Sequence, residues 1–330
     1  MAKSTLVAAV AQTASVLLDT PATVERALGW MAEAGKRGTQ LLVFPEAFIG
    51  GYPKGADFHI YLGGRTPQGR AEFKHYFDAA VAVDGPEIAQ LAKAAARHGM
   101  YVCVGVIERE GGTLYCTAVY LGPDGRVLGK HRKLMPTALE RLVWGFGDGS
   151  TLQAVDTPFG KLGAVICWEN YMPALRLAMY QQRIALYCAP TADDRDSWAP
   201  TMRHIALEGR CFVLSACQHL RRSQFPADRM NNRLPEAADT VLMRGGSLIV
   251  DPLGQVLAGP VFDEDALLTA QLDLDTIAMA QMDFDAVGHY ARPDVFSLQV
   301  NTAAQHAVTL DDGHAPATEK HQAPGSARHG

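Results

Sequence analysis

Glu46, Lys133 and Cys167 each close a short apolar run, and each carries a different reactive group. Cys167 ends Leu162-Gly163-Ala164-Val165-Ile166 and leads into Trp168-Glu169-Asn170-Tyr171-Met172-Pro173. Glu46 follows Leu41-Leu42-Val43-Phe44-Pro45, and Lys133 sits in His131-Arg132-Lys133-Leu134-Met135-Pro136. Strand ends collected on one edge of a sheet would bring a carboxylate, an ammonium and a thiol into one cleft, where α/β proteins keep their ligand sites. A thiol with a reference pKa of about 8.5 is mostly protonated at neutral pH. A neighbouring carboxylate can take its proton, and a neighbouring cation favours the thiolate. Taken singly, each residue also has an ordinary use: a small core cysteine, a capping or surface glutamate, a solvated or paired lysine.

The elements that must position these groups follow from hydrophobic pattern. Short β-rich runs recur at 6–11, 41–44, 101–107, 118–121, 162–166, 184–188, 211–216, 247–250 and 267–272,. Amphipathic helices are expected from Pro21, with Val24, Leu28 and Met31 on one face, and from Pro86 to a stop at Gly99,. Two more are expected from Pro173 through Met179 and from Pro200 to about Glu208. Pro123-Asp124-Gly125 and Asp251-Pro252-Leu253-Gly254 read as turns between adjacent strands,. This mixture predicts layered α/β sheets with parallel and hairpin pairings, not an alternating barrel.

Composition narrows the partners. The chain has 330 residues, 48% hydrophobic and 20% charged, with a net charge of −5. It therefore has ample apolar surface for a core and no electrostatic footprint for nucleic acid. No run approaches the roughly 18 apolar residues of a membrane span, so neither partner is expected. The start, Met1-Ala2-Lys3 and then 6–11, imitates a signal peptide faintly, but Gln12 and Thr13 interrupt it and a first buried strand explains it better,. Six cysteines without zinc-type spacing read as reduced thiols in the cytoplasm,. Cys103, Cys116, Cys188, Cys211 and Cys217 read as core, and His131, ahead of two cations, as no ligand,. Residues 301–330 lack aromatics and any apolar stripe, which predicts a flexible tail after a domain at 1–300,.

The motif text adds a resemblance. Phe44-Pro45-Glu46-Ala47-Phe48-Ile49-Gly50-Gly51-Tyr52-Pro53, Arg132-Lys133-Leu134-Met135-Pro136-Thr137 and Cys167-Trp168-Glu169-Asn170-Tyr171-Met172-Pro173 resemble, in order, the glutamate, lysine and nucleophile motifs of the nitrilase branch of the carbon–nitrogen hydrolase superfamily. Further similarity lies in Trp144-Gly145-Phe146-Gly147-Asp148-Gly149-Ser150, in 202–210 and in Gly288-His289-Tyr290-Ala291-Arg292-Pro293-Asp294, so the likeness spans 6–300. Cys-Trp-Glu with the late Gly-His-Tyr points to nitrilases and their cyanide-processing relatives more than to amidases of the superfamily.

The resemblance implies an α-β-β-α sandwich that stacks into four-layer dimers and longer, spiral assemblies. It also implies Cys167 as nucleophile, Glu46 as general base, Lys133 as electrostatic stabiliser and Glu140 as a supporting carboxylate. The expected reaction converts an organic nitrile to the acid and ammonia through a thioimidate and a thioester, with no metal or organic cofactor. Glu46 and Glu140 are expected to repel and raise the pKa of one of them, with Lys133 opposing. Tyr52, Trp144 and Trp168 are candidate substrate-binding residues, with Tyr171 and Trp198 as further aromatics for an apolar pocket. Asp193 and Asp194 are read either as pocket lining or as solvated loop carboxylates. Cyanide hydration, amide hydrolysis and a non-enzymatic thiol sensor or filament scaffold are the competing readings.

Overall fold

The computed structural model describes residues 4–308. In chain order its first half carries β1 (Thr5–Gln12), α1 (Thr20–Lys36), β2 (Leu41–Val43), α2 (Pro67–Ala79), α3 (Pro86–His98), β3 (Tyr101–Glu110), β4 (Thr113–Leu121) and β5 (Val127–Arg132). Then follow β6 (Val155–Thr157), β7 (Gly160–Ala164), α4 (Pro173–Gln181), β8 (Ile184–Thr191), α5 (Trp198–Gly209) and β9 (Phe212–Cys217). β10 (His219–Arg221), β11 (Val241–Val250), β12 (Val256–Phe262), β13 (Ala266–Asp273) and α6 (Asp275–Gln281) complete it.

These strands make two sheets, one in the order β13-β1-β2-β3-β4-β5 and one in the order β10-β11-β9-β8-β7-β6, with β12 beside β11. In the first, β1, β2 and β3 run parallel, and β13, β4 and β5 pair antiparallel at the flanks. In the second, β7, β8 and β9 are parallel. Two successive antiparallel pairings bring β5 back to the direction of β3, so the chain leaves β2 and β5 at the same edge.

Alternating burial shows how the layers stack. On β3, Val102, Val104 and Val106 face a core shared with α1 and α3, while Cys103 and Ile107 face the core between the sheets. On β8, Leu186 and Cys188 face that same middle core, and Tyr187 and Ala189 face a third core under α4 and α5. Strands apolar on both faces are what covered parallel sheets require. The result is the expected α-β-β-α sandwich.

The helix starts follow the local signals. Asp19 caps α1 by accepting from Ala22 N, Pro86 opens α3, and Gly99 ends α3 with φ of 63°,. The helix expected from Pro200 begins earlier, at Trp198. α2 was outside the expected set because its buried positions are Gly69, Glu72, Tyr76 and Ala79, which leave no apolar stripe,. β5, β6, β10 and β12 also have no counterpart among the expected runs: β5, β6 and β12 are largely half-buried or exposed edge strands without a continuous apolar run, and β10 spans only three residues. Both expected turns are found, between β4 and β5 and between β11 and β12. Of the expected tail, 301–308 is exposed and has no helix or strand, with Gln305 N donating to Asp148 Oδ2 at 2.7 Å. The remainder, 309–330, lies outside the described residues.

Candidate active site

Glu46 leaves the end of β2 on a loop that lies against β3. Phe44 N donates to Cys103 O, and Ile49 N to Gly105 O, so both sides of Glu46 are pinned to the neighbouring strand. Gly105 makes that approach possible: a Cβ there would sit 2.1 Å from Pro45 O and 2.8 Å from Glu46 Cα,. Gln218 Nε2, just beyond β9 of the other sheet, donates to Glu46 O at 3.0 Å.

Lys133 follows β5 directly, and its N–H donates to Cys116 O on β4. Cys167 opens a 3-10 turn, Cys167–Tyr171, three residues past the end of β7. Its φ of 51° lies in the left-handed region, which costs a non-glycine residue about 1–2 kcal/mol,. Asn170 holds the elbow by donating from Nδ2 to Cys167 O at 2.8 Å and to Val165 O at 2.9 Å, while Tyr187 donates to Asn170 Oδ1.

One buried carboxylate ties the last two loops together. Glu169 accepts from Leu134 N at 2.6 Å on Oε1 and from Ile166 N at 2.9 Å on Oε2, with His131 Nε2 at 3.1 Å from Oε2. His131 is thus a buried partner of this clamp. Through Oε1 Glu169 grips the residue after Lys133, and through Oε2 the residue before Cys167.

The four residues expected together do meet. Lys133 Nζ lies 2.6 Å from Glu46 Oε1 and 2.8 Å from Glu140 Oε2. Glu140 also accepts from Thr137 N at 2.6 Å and from Tyr52 OH at 2.8 Å. Cys116 Sγ lies 3.5 Å from Glu46 Oε1, leaving Glu46 Oε2 buried with no hydrogen-bond partner. Thr191 Oγ1 is 3.3 Å from Cys167 Sγ. Glu46, Lys133 and Cys167 are buried, whereas Glu140 reaches the open cleft.

Burial is the largest influence on Glu46, and it raises the carboxyl; Lys133 pulls it down and Glu140 pushes it up,. The repulsion expected between two carboxylates is therefore present but secondary to desolvation. Burial also pushes the Cys167 thiol up, Glu46 pushes it further, and Lys133 opposes them. The cation does not outweigh burial, so the resting sulfur carries its proton. For Lys133, burial works against the charge, but Glu46 holds its pKa well above the ordinary value.

The cleft over Cys167 has a volume of about 220 Å3 and is lined by Tyr52, Glu140, Trp168 and Asp193 among others. A second cavity of about 400 Å3 shares Tyr52, Thr137 and Glu140 with it and continues along Ile60, Leu142 and Trp144. Tyr52 and Trp144 pack edge to face, with centroids 5.8 Å apart, and Lys133 Nζ is 5.6 Å from the Trp144 ring,. Trp168 is 41% exposed at the rim, where its Nε1 donates to Asp193 Oδ2 at 2.9 Å. Asp193 and Asp194 line the cleft. Trp198 does not: it is buried in the outer core, with Nε1 donating to Ser215 Oγ. Cys116, Gly105, Glu169 and Thr191 were not picked out as site residues. Thr191, closing the strand that pairs parallel to β7, had the same strand-end signal as the others.

A carbon–nitrogen hydrolase family profile matches residues 7–281. The chain belongs to the carbon–nitrogen hydrolase family. Within it, the chain falls in the nitrilase branch. An aliphatic nitrilase of Sinorhizobium fredii is 64% identical over 301 residues, covering 91% of this chain and 97% of that one. A bifunctional nitrilase/nitrile hydratase of Lupinus angustifolius is 52% identical, covering 93% and 89% respectively. Among solved structures, a carbon–nitrogen hydrolase from Helicobacter pylori superimposes with a TM-score of 0.70 at 19% identity, over 90% of this chain and 98% of that one. That likeness shows the fold of this hydrolase family.

Proposed function

We propose that this protein is a nitrilase in which Cys167 attacks the nitrile carbon, with Glu46 as proton carrier, Lys133 as the cation that stabilises developing charge, and Glu140 as the carboxylate that positions Lys133. The observation that carries this reading is the convergence of Glu46 and Glu140 on Lys133, each within 2.8 Å of its Nζ, with Glu140 lining the cleft that opens on Cys167. Because the resting thiol is protonated, attack and proton loss are coupled: the proton passes to Glu46, whose Oε2 has no other partner,. Charge then develops on the nitrile nitrogen, where Lys133 stabilises it and Glu46 returns the proton, giving a thioimidate.

Water activated by Glu46 adds to the thioimidate carbon, producing a carbon that bears sulfur, hydroxyl and amino groups. Loss of ammonia leaves a thioester, and a second water releases the acid and the free thiol. Expulsion of sulfur from the first tetrahedral carbon gives the amide instead. The relative named as a bifunctional nitrilase/nitrile hydratase makes that second outlet worth measuring here. Tyr52, Trp144 and Trp168 bound the space for the nitrile's side chain, and the continuing cavity sets Ile60 and Leu142 beside Lys54 and the Asp57–Arg233 pair,.

Self-association belongs to the same proposal. Leu177, Tyr290, Phe296 and Leu298 are exposed and line one pocket between α4 and the segment after α6, and contiguous apolar surface of this kind marks contact sites. The helices of the described residues include none long and apolar enough to cross a membrane. Six free thiols fit the cytoplasm,.

The test is a panel of aromatic, arylaliphatic and aliphatic nitriles plus cyanide, scoring ammonia, acid and amide together. Acid with stoichiometric ammonia is expected from an organic nitrile. Turnover of cyanide alone would select the hydratase or dihydratase reading, and silence on every nitrile would overturn the proposal.

A further inference from the structure

Thr191 lies against the reacting sulfur and brings no acid or base of its own. Its Oγ1 accepts from Asp193 N at 2.9 Å, which occupies a lone pair, and lies 3.3 Å from Cys167 Sγ. That leaves the hydroxyl hydrogen available to donate to sulfur, at the 3.3 Å separation,. Thr191 is buried, at the last position of β8, and the same turn is closed by Asp193, which holds Trp168 Nε1 and, at 2.8 Å, Arg195 Nε. The hydroxyl is thus fixed by the turn rather than free to rotate into solvent.

We propose that Thr191 is a further catalytic residue that donates a hydrogen bond to the Cys167 sulfur whenever that sulfur carries the electron pair. This rests on Cys167 being the nucleophile. A donor to sulfur matters unequally along the path, because anionic sulfur is a stronger acceptor than the neutral sulfur of a thioimidate or thioester. It assists thiolate formation before attack. It assists again when a carbon–sulfur bond breaks.

The consequence falls on product choice. The first tetrahedral carbon carries sulfur, a hydroxyl, an amino group and the substrate chain. If the carbon–sulfur bond breaks, its electron pair goes to Sγ, the hydroxyl proton goes to Glu46 and then to sulfur, and the amide leaves. If the carbon–nitrogen bond breaks, the electron pair goes to nitrogen, which takes a proton and leaves as ammonia, and the hydroxyl proton passes to Glu46 as the thioester forms. Thr191 favours the first exit and does not touch the second. Release of acid from the thioester again expels sulfur, so Thr191 speeds that step as well.

Thr191→Val keeps the shape and removes the donor, and Thr191→Ser restores it. Three measurements on the full-length protein read the effect: the rate of Cys167 alkylation by iodoacetamide at one fixed pH, kcat and KM for a nitrile, and the amide share of product. Expected for Thr191→Val is alkylation slowed by about tenfold, a lower kcat at a KM near that of the parent, and a reduced amide share. Thr191→Ser should return all three toward the parent values. A role confined to holding the Asp193 turn would instead raise KM and leave alkylation unchanged, and that result overturns the proposal. Parental alkylation and product ratio in Thr191→Val would do the same. Cys167→Ala assayed beside these variants separates the two claims, since retained turnover there removes the nucleophile assignment whatever Thr191 does.

Discussion

A large apolar pocket and the candidate active site lie in different places. A pocket of about 550 Å3 lies between α4 and the segment after α6, lined by Leu152, Leu177, Tyr290, Phe296 and Leu298 among others. The cleft over Cys167 is less than half that volume. The large pocket is apolar, and Arg292 at its wall spends its charge on Asp294, at 2.8 Å. Beside the small one, Glu46 and Glu140 converge on Lys133 next to the Cys167 thiol. Size and apolarity describe a surface that wants covering, while converging opposed charges, held away from water, describe a place where protons move. Strain divides the regions too: Cys167 is held at positive φ by Asn170, a cost that needs a surrounding structure to sustain it,.

Substitutions can break this contrast, and the largest effect belongs to the small cleft. Cys167→Ala should abolish nitrile turnover while leaving the thermal unfolding midpoint close to that of the parent. Glu46→Gln and Lys133→Ala should each lower kcat by about 10²-fold or more. Lys133→Ala should also destabilise the protein, because it leaves Glu46 buried without its cation; thermal unfolding beside the kinetic assay separates the two losses. Glu140→Gln should cost less than Lys133→Ala, since the amide oxygen can still accept from Thr137 N and Lys133 Nζ while the NH2 donates to Tyr52 OH,. Full activity in that variant would remove Glu140 from the site.

The pH profile sharpens the comparison further. Glu46 must be ionised to take a proton, and burial raises its pKa, so the acid limb of kcat/KM should lie above the ordinary glutamate value of about 4.3,. Glu140→Gln removes a charge that raises Glu46 and should move that limb to lower pH. A limb that moves upward in Glu140→Gln would contradict the assignment of Glu46 as base. The smallest effect on chemistry should come from the large pocket: Phe296→Asp should shift sedimentation to smaller species, with Cys167 alkylation unchanged.

How far the sequence could be read differs between the regions in the same way. Glu46, Lys133 and Cys167 are legible because motif text and strand ends name them one at a time, whereas Glu140 is reached only through the family resemblance. Their supports are not legible. Gly105 matters only because the Glu46 loop lies on β3, Glu169 only because two loops from different sheets share its oxygens, and Cys116 only because β4 passes under Glu46. Each is a contact between segments far apart in the chain, which local pattern does not encode. Trp198 erred the other way: an aromatic expected in the pocket fills the outer core, because α5 starts two residues before the Pro200 start signal. The Gly-His-Tyr segment near 290 was recognised as text, yet its packing beside α4 follows only from the fold.

The central claim is a covalent bond between Cys167 and the substrate carbon. Acid quenching during turnover of a nitrile, followed by peptide mass spectrometry, reads that bond directly. The account predicts a mass gain equal to the substrate imidoyl or acyl group on the peptide containing Cys167, absent in Cys167→Ala and replaced by no other adduct. Continued turnover with an unmodified Cys167 peptide, or with the adduct on Cys116, would contradict it.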